Sequence, residues 1–108
     1  MSRDVKAEID AEVKNNPVVL YMKGSASMPM CGFSAAAAAA LQDLGVRFKS
    51  VDVLKDPDIR QGIKEYSDWP TIPQLYVGGE FVGGSDIVRE MHASGELQKL
   101  VSEKTAAG

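Results

Sequence analysis

Apolar and polar residues follow two periods along this chain of 108 residues, and each period predicts one kind of secondary structure. Val5, Ile9 and Val13 lie four residues apart, which is the spacing of a helix with one apolar face. The run at residues 18–22 is almost wholly apolar, as in a strand buried on both faces. Helices are predicted over about residues 5–14, 32–44, 57–66, 86–94 and 96–103. Strands are predicted over residues 18–22, 48–53, 74–77 and 80–82.

Residues with special backbone roles mark the ends of several elements. Asp56 precedes a proline and suits a helix start, because its carboxylate can accept hydrogen bonds from the free N–H groups of the first turn. Gly45 suits the left-handed residue that ends a helix. Gly78-Gly79 predicts a two-residue hairpin turn. Ser85 or Asp86 is expected to cap the helix that follows the hairpin.

The element order, α-β-α-β-α-β-β-α-α, predicts an α/β fold with a central mixed sheet covered by helices on both faces. We expect the first strand–helix–strand unit to be parallel and right-handed, and the hairpin to be antiparallel. The length predicts a single domain, with a core over about residues 5–101 and a loose tail over residues 104–108.

Composition and charge argue against several classes of function. The hydrophobic fraction of 44% and the charged fraction of 25% are those of an ordinary globular protein. No apolar run approaches the ~20 residues of a membrane-spanning helix. A net charge of -3 argues against a nucleic-acid partner. The first residues lack an export signal, and a single cysteine is typical of a reducing compartment, so we expect a cytoplasmic protein.

The motif Cys31-Gly32-Phe33-Ser34 lies between a loop and a predicted helix, with serine where a dithiol site would carry its second cysteine. One thiol cannot close an internal disulfide, so its sulfur chemistry needs a second sulfur from outside the chain. A single cysteine is most often a small buried apolar residue. At a helix N-terminus, however, free N–H groups and the helix dipole lower a thiol pKa and favour thiolate. We expect Cys31 to be functional in that form.

The stretch Trp69-Pro70-Thr71-Ile72-Pro73 is the second candidate for function. Pro73 lies where a strand should begin, and proline cannot donate a hydrogen bond to a sheet. A cis Ile72–Pro73 bond would turn the Ile72 N–H and C=O outward, where an extended peptide could pair with them. An ordinary proline-rich loop is the alternative, and we favour the cis bond.

The segment Gly83-Gly84-Ser85-Asp86 is the third candidate, because its glycines let a ligand approach the backbone just before a helix. Free N–H groups there suit a carboxylate and Asp86 suits an ammonium group, so the segment could hold the head of an α-amino acid. Lys23 and Arg60 could supply two positive charges for a second carboxylate. The alternatives are a plain turn with a helix cap, and two solvated surface charges.

His92 is the one histidine and lies on the polar part of a predicted helix, where we expect a surface role. A protease-like pair of Cys31 and His92 would need a substrate cleft that so short a chain has little material to build. No spacing of histidine, cysteine and carboxylate residues predicts a metal site within one chain.

The three motifs, preceded by Lys23-Gly24, occur in the order and at the intervals of one family. The chain resembles a monothiol glutaredoxin of the CGFS type over about residues 5–101. The resemblance implies a thioredoxin fold with a central four-stranded mixed sheet flanked by helices, and with Pro73 as a cis-proline facing Cys31.

The resemblance also implies a glutathione site. Lys23 and Arg60 would bind the glycine carboxylate of glutathione. Ile72 would pair through its backbone with the cysteinyl part. Ser85 and Asp86 would hold the γ-glutamyl end.

The main role implied by the family is to hold and pass on a [2Fe-2S] cluster. Such a cluster needs four thiolates and one chain supplies one, so the resemblance implies a homodimer that binds through Cys31 and one glutathione of each copy. Apo iron–sulfur proteins would be the recipients. The eight-residue offset from Lys23 to Cys31 is longer than in dithiol glutaredoxins and implies weak disulfide exchange. Two alternatives stay open: a glutathione-dependent oxidoreductase acting on mixed disulfides, and an adaptor for a BolA-like protein in iron signalling.

Two features of the chain depart from the family pattern. Ser85 stands where many relatives carry cysteine, which removes a regulatory disulfide or glutathionylation site but leaves the glutathione contact. Met28-Pro29-Met30 before the thiol is unusually apolar. This tripeptide either forms a partner surface or packs against the sheet, and we expect it to pack.

Overall fold

A computed structural model describes residues 3–105 of the chain. The helices are α1 (Val5–Asn15), α2 (Gly32–Asp43), α3 (Pro57–Ser67), α4 (Ser85–Ser94) and α5 (Glu96–Thr105). The strands are β1 (Val18–Met22), β2 (Lys49–Asp52), β3 (Gln74–Val77) and β4 (Glu80–Gly83), and a short 3-10 helix covers Val53–Lys55. The predicted element order is confirmed. No helix within residues 3–105 is long and apolar enough to cross a membrane.

The four strands form one sheet in the order β2-β1-β3-β4, and the predicted mixed four-stranded sheet is confirmed. β1 runs parallel to β2 and antiparallel to β3, with Leu20 opposite Leu75. β3 and β4 form the predicted hairpin, and its turn glycines, Gly78 and Gly79, have φ angles of 61° and 83°. Because β1 lies inside the sheet, the loop that follows it leaves from the middle of the molecule.

β1 is buried over its whole length because helices cover both faces of the sheet. Val18, Leu20 and Met22 belong to one apolar cluster, which residues of α2, α4 and α5 complete. Val19 and Tyr21 belong to the other cluster, with residues of α1 and α3. Alternate residues of a strand point to opposite faces, so two buried faces require the nearly continuous apolar run seen in the sequence.

Two predicted helix ends are confirmed. Asp56 caps α3, and its carboxylate accepts hydrogen bonds from the N–H groups of Asp58 and Ile59 at 3.2 and 3.3 Å. Gly45 follows α2 with a φ angle of 69°, the left-handed conformation that glycine adopts without strain.

The predicted cap of α4 is wrong. Gly84 occupies the N-cap position, and no side chain makes a capping hydrogen bond there. Ser85 is already the first helical residue and is buried, so its hydroxyl is not in the position of a cap. The N–H groups of this first turn are left without a side-chain acceptor.

Two other predicted ends need correction. β2 is shorter than predicted, because the Asp52 carboxylate accepts a hydrogen bond from the Leu54 N–H at 2.9 Å and starts the 3-10 helix. α5 continues through Thr105, whose hydroxyl donates to the Val101 C=O at 2.6 Å. The first two residues of the predicted loose tail are therefore helical, while residues 106–108 lie outside the described part of the chain.

Candidate functional site

Cys31 lies at the N-cap of α2, half-buried, with extended backbone angles (φ -151°, ψ 135°). The Ser34 N–H is the largest cause of a Cys31 pKa below its ordinary value, and partial burial acts in the opposite direction. The Phe33 N–H, the Lys23 charge and the Ser34 hydroxyl lower the pKa further. The predicted direction of the shift is confirmed, and its main source is the uncapped first turn of the helix.

Ser34, the residue in place of a second cysteine, is fully buried. Its hydroxyl oxygen accepts a hydrogen bond from the Lys23 N–H at 3.0 Å. This bond joins the first turn of α2 to the chain leaving β1, and so fixes Cys31 relative to Lys23. The sequence shows Ser34 only as a missing cysteine, because no local pattern indicates a hydrogen bond that spans eleven residues.

The loop between β1 and α2 is closed by backbone contacts. The Met30 N–H donates to the Lys23 C=O at 2.9 Å. Gly24 has a φ angle of 92°, and an added Cβ would lie 2.5 Å from the Met30 nitrogen, so only glycine fits. The Gly24 N–H donates to the Asp52 carboxylate at 3.0 Å and ties the loop to the end of β2. Like Ser34, Asp52 therefore holds the loop before Cys31 in place, and the sequence did not reveal this role.

The tripeptide Met28-Pro29-Met30 does not pack against the sheet, and that prediction is wrong. Met28 and Met30 are 69% and 66% exposed. Backbone hydrogen bonds between Met28 and Ser25, at 3.1 and 3.2 Å, turn the chain back on itself and leave these side chains outside. With Phe33, which is 62% exposed, the two methionines form what we call the apolar surface next to Cys31 in the chain.

The Ile72–Pro73 bond is cis, as predicted. Gln74 is fully buried and holds this stretch, because its side-chain amide donates to the C=O groups of Trp69 and Thr71 at 3.0 and 3.1 Å. Within residues 3–105, the Ile72 N–H and C=O make no backbone hydrogen bond. Gln74 is a third positioning residue that the sequence did not reveal.

A cavity of about 220 Å³ lies between the start of α2, the cis-proline stretch and the start of α4. Its lining includes Phe33, Pro73 and three of the predicted site residues, Ile72, Ser85 and Asp86. The structure thus brings together residues such as Phe33 and Asp86, which lie 53 positions apart in the sequence. The cavity has the backbone groups of a cis-proline on one side and a helix N-terminus on the other.

Gly84 lets the backbone at the start of α4 approach this cavity. An added Cβ would lie 3.4 Å from the Pro73 carbonyl oxygen and 3.4 Å from the Trp69 indole nitrogen. The uncapped first-turn N–H groups suit an anion, and the helix dipole favours negative charge there. The Trp69 indole N–H is a further donor beside them, which the sequence did not reveal.

Lys23 and Arg60, the two predicted cations, do not line this cavity. Lys23 is half-buried after β1, and its charge lowers the Cys31 pKa, so it lies near the thiol. Arg60 is exposed on α3. Among residues 3–105, no hydrogen bond or ion pair joins the Arg60 side chain to another predicted site residue.

His92 lies far from Cys31. Its Nε2 is 2.9 Å from the Asp43 carboxylate at the C-terminal end of α2, whereas Cys31 precedes the first residue of that helix. Because α2 has 12 residues, its ends are about 18 Å apart. The two side chains therefore do not form a protease-like pair.

The chain is similar to known proteins over nearly its whole length. Residues 18–82 match the family model described as Glutaredoxin. A Synechocystis protein described as an uncharacterized monothiol glutaredoxin, ycf64-like, is 53% identical over 107 residues, covering 99% of this chain and 100% of the relative. Glutaredoxin 4 of Escherichia coli K12 is 54% identical over 99 residues, covering 92% and 86%. The solution structure of reduced poplar apo GrxS14 is similar with a TM-score of 0.82 and 47% identity, over 94% of each chain. The chain belongs to the glutaredoxin family, and with Cys31 as its single cysteine it is a monothiol member.

Proposed function

We propose that the protein binds glutathione and holds a [2Fe-2S] cluster between two copies of the chain, for assembly, storage and transfer of clusters in the cytoplasm. The observation that carries the proposal is the single thiol of Cys31, set at an uncapped helix N-terminus with a lowered pKa. Ser34 occupies the place of a resolving cysteine and is committed to the Lys23 N–H. Cys31 can therefore act as a metal ligand without competition from an internal disulfide.

The donor chemistry at Cys31 fits an iron–sulfur cluster. Clusters of this kind take thiolate ligands, and the lowered pKa favours thiolate at this half-buried position. Within residues 3–105, no group of three or more histidine, cysteine and carboxylate side chains is placed to hold a metal ion. A second Cys31 and two glutathione thiolates would complete the four ligands, so the proposal requires a dimer.

The cavity between the start of α2, the cis-proline stretch and the start of α4 supports a glutathione site. The γ-glutamyl carboxylate would meet the N–H groups of Ser85 and Asp86 in the first turn of α4, and the Asp86 carboxylate would meet the ammonium group. The Ile72 N–H and C=O would pair with the cysteinyl part, as an added strand does. The glycine carboxylate would reach Lys23 and Arg60, which supply the two positive charges.

The apolar surface supports a dimer around the thiol. Met28, Met30 and Phe33 are each more than 60% exposed and lie within three residues of Cys31. Large apolar side chains exposed this close to the thiol in the chain suit an interaction site. In the proposed dimer a second copy would cover them and keep water from the cluster.

Anaerobic reconstitution with iron, sulfide and glutathione tests the proposal. We expect a coloured species of about twice the 11.6 kDa chain mass that forms only with glutathione present. Cys31→Ser should stay colourless, while Met30→Leu, a control that removes the neighbouring sulfur but keeps an apolar side chain, should form the cluster. A colourless monomer from the unaltered protein, or a coloured Cys31→Ser protein, would overturn the proposal.

The lowered Cys31 pKa also favours a second function, reduction of glutathione mixed disulfides. The Cys31 thiolate would attack the glutathione sulfur, form a Cys31–glutathione disulfide and release the substrate as a thiolate. A free glutathione thiolate would then attack the sulfur of the bound glutathione, giving oxidised glutathione and restoring the Cys31 thiolate. Robust turnover of a mixed disulfide would favour this function over the cluster carrier.

A BolA-like protein and apo iron–sulfur proteins are the proposed protein partners.

A further inference from the structure

Arg3 connects the start of α1 to the start of α3. Its guanidinium binds Glu8 at 2.6 and 2.8 Å and Asp56 at 2.8 and 3.1 Å. The Asp58 carboxylate lies 3.7 Å away from the same group. One cation therefore serves three carboxylates gathered around the N-terminus of α3.

Asp56 at the N-cap of α3 and Arg60 in its first turns stand four positions apart, the spacing at which opposite charges on a helix pair. The Arg60 N–H donates to the Asp56 C=O at 3.0 Å, so the two residues are one helical turn apart. Their side chains nevertheless form no ion pair in the described part of the chain, and Arg60 is exposed.

The Asp56 carboxylate is fully engaged elsewhere. One oxygen accepts from Arg3 Nη2 at 2.8 Å. The other accepts from Arg3 Nη1 at 3.1 Å and from the N–H groups of Asp58 and Ile59. The hydrogen bonds from Arg3 are also the largest cause of an Asp56 pKa below its ordinary value. Arg3 holds this carboxylate at the helix start and away from Arg60.

We infer that Arg3 is a positioning residue that keeps the Arg60 guanidinium available to the glycine carboxylate of glutathione. The inference rests on the proposed glutathione site. Without the Arg3 charge, the Asp56 carboxylate could turn to Arg60, and the carboxylates of Glu8 and Asp58 would lose their cation near the incoming anion. Both effects oppose binding, and both act between exposed charges, so salt should suppress them.

Titration of the isotopically labelled full chain with reduced glutathione, followed by NMR, tests this inference at about 10 mM and about 500 mM salt. Arg3→Gln should raise the Kd for glutathione about two- to fourfold at low salt, and by less at high salt. Arg3→Lys keeps the charge and should bind nearly as the unaltered protein does. Arg47→Gln, a control that removes an exposed arginine between α2 and β2, should leave the Kd unchanged.

Rescue separates this role from a merely structural one. Asp56→Asn keeps a capping oxygen for α3 but removes the charge that would compete for Arg60. In the Arg3→Gln background it should restore the Kd to near the unaltered value, although it does nothing to restore the link to α1. Failure of this rescue, or an unchanged Kd in Arg3→Gln, would overturn the inference while leaving glutathione binding intact. Absence of glutathione binding to the unaltered protein would overturn both the inference and the proposed glutathione site.

Discussion

Ser34→Ala tests the link between the thiol and the chain that leaves β1. The substitution removes the acceptor of the Lys23 N–H, a hydrogen bond of 3.0 Å that involves a fully buried hydroxyl. An N–H group left without a partner in a partly buried position costs about 1–3 kcal/mol. The unfolding entropy of a domain of this length is about 0.23 kcal/mol/K. Dividing the lost free energy of unfolding by this entropy predicts that the Tm falls by about 4–13 °C.

The same substitution should act on the thiol. The Ser34 hydroxyl is one of the groups that lower the Cys31 pKa, so its removal should raise that pKa. The larger cause, the Ser34 N–H, is backbone and survives in alanine. The thiol pKa of Ser34→Ala should therefore lie above that of the unaltered protein but still below the ordinary value.

Thermal unfolding followed by circular dichroism gives the Tm, and the pH dependence of thiol alkylation gives the Cys31 pKa. Ser102→Ala is the matched control, because Ser102 is exposed on α5 and its loss should change stability by less than about 0.5 kcal/mol. A Ser34→Ala protein with the Tm and thiol pKa of this control would refute the proposed role of the buried hydroxyl.

Three further substitutions test the site. Gly24→Ala should destabilise the fold by about 2 kcal/mol or more in denaturant unfolding, because its positive φ and its contact with the Met30 backbone leave no room for Cβ; unchanged stability would contradict the loop geometry. Lys23→Met should move the midpoint pH of Cys31 alkylation upward, because the thiolate loses a nearby positive charge. A midpoint at the same or lower pH would contradict the proposed effect of the Lys23 charge on the thiol. Trp69→Phe should weaken glutathione binding about two- to tenfold by calorimetry, through loss of one donor to the γ-glutamyl carboxylate, and equal affinity would exclude that contact.

The sheet and its layers could be predicted because each face leaves a mark in the sequence. β1 is a continuous apolar run because both of its faces are buried, and Leu20 and Tyr21 enter different clusters. Asp56 indicated the start of α3 and Gly45 the end of α2, because capping and a left-handed backbone depend on the residue itself and not on a distant partner. The glutathione and cluster residues were predicted from the family motifs and not from local patterns.

The sequence could not reveal contacts between distant segments. Ser34 and Asp52 act through single hydrogen bonds to the chain after β1, and no period or cap signal accompanies them. The exposure of Met28 depends on a backbone turn within the loop, whereas composition favours burial of methionine. The predicted cap of α4 is wrong because Gly84, whose backbone lies close to the Pro73 carbonyl, takes the N-cap position one residue before Ser85.

Native mass spectrometry of the reconstituted protein tests the central claim most directly, because it counts chains, clusters and glutathione in one measurement. The proposed function predicts two chains, one [2Fe-2S] cluster and two glutathione molecules, with all three lost together in Cys31→Ser. A cluster held by one chain, or a dimer that carries a cluster without glutathione, would contradict it.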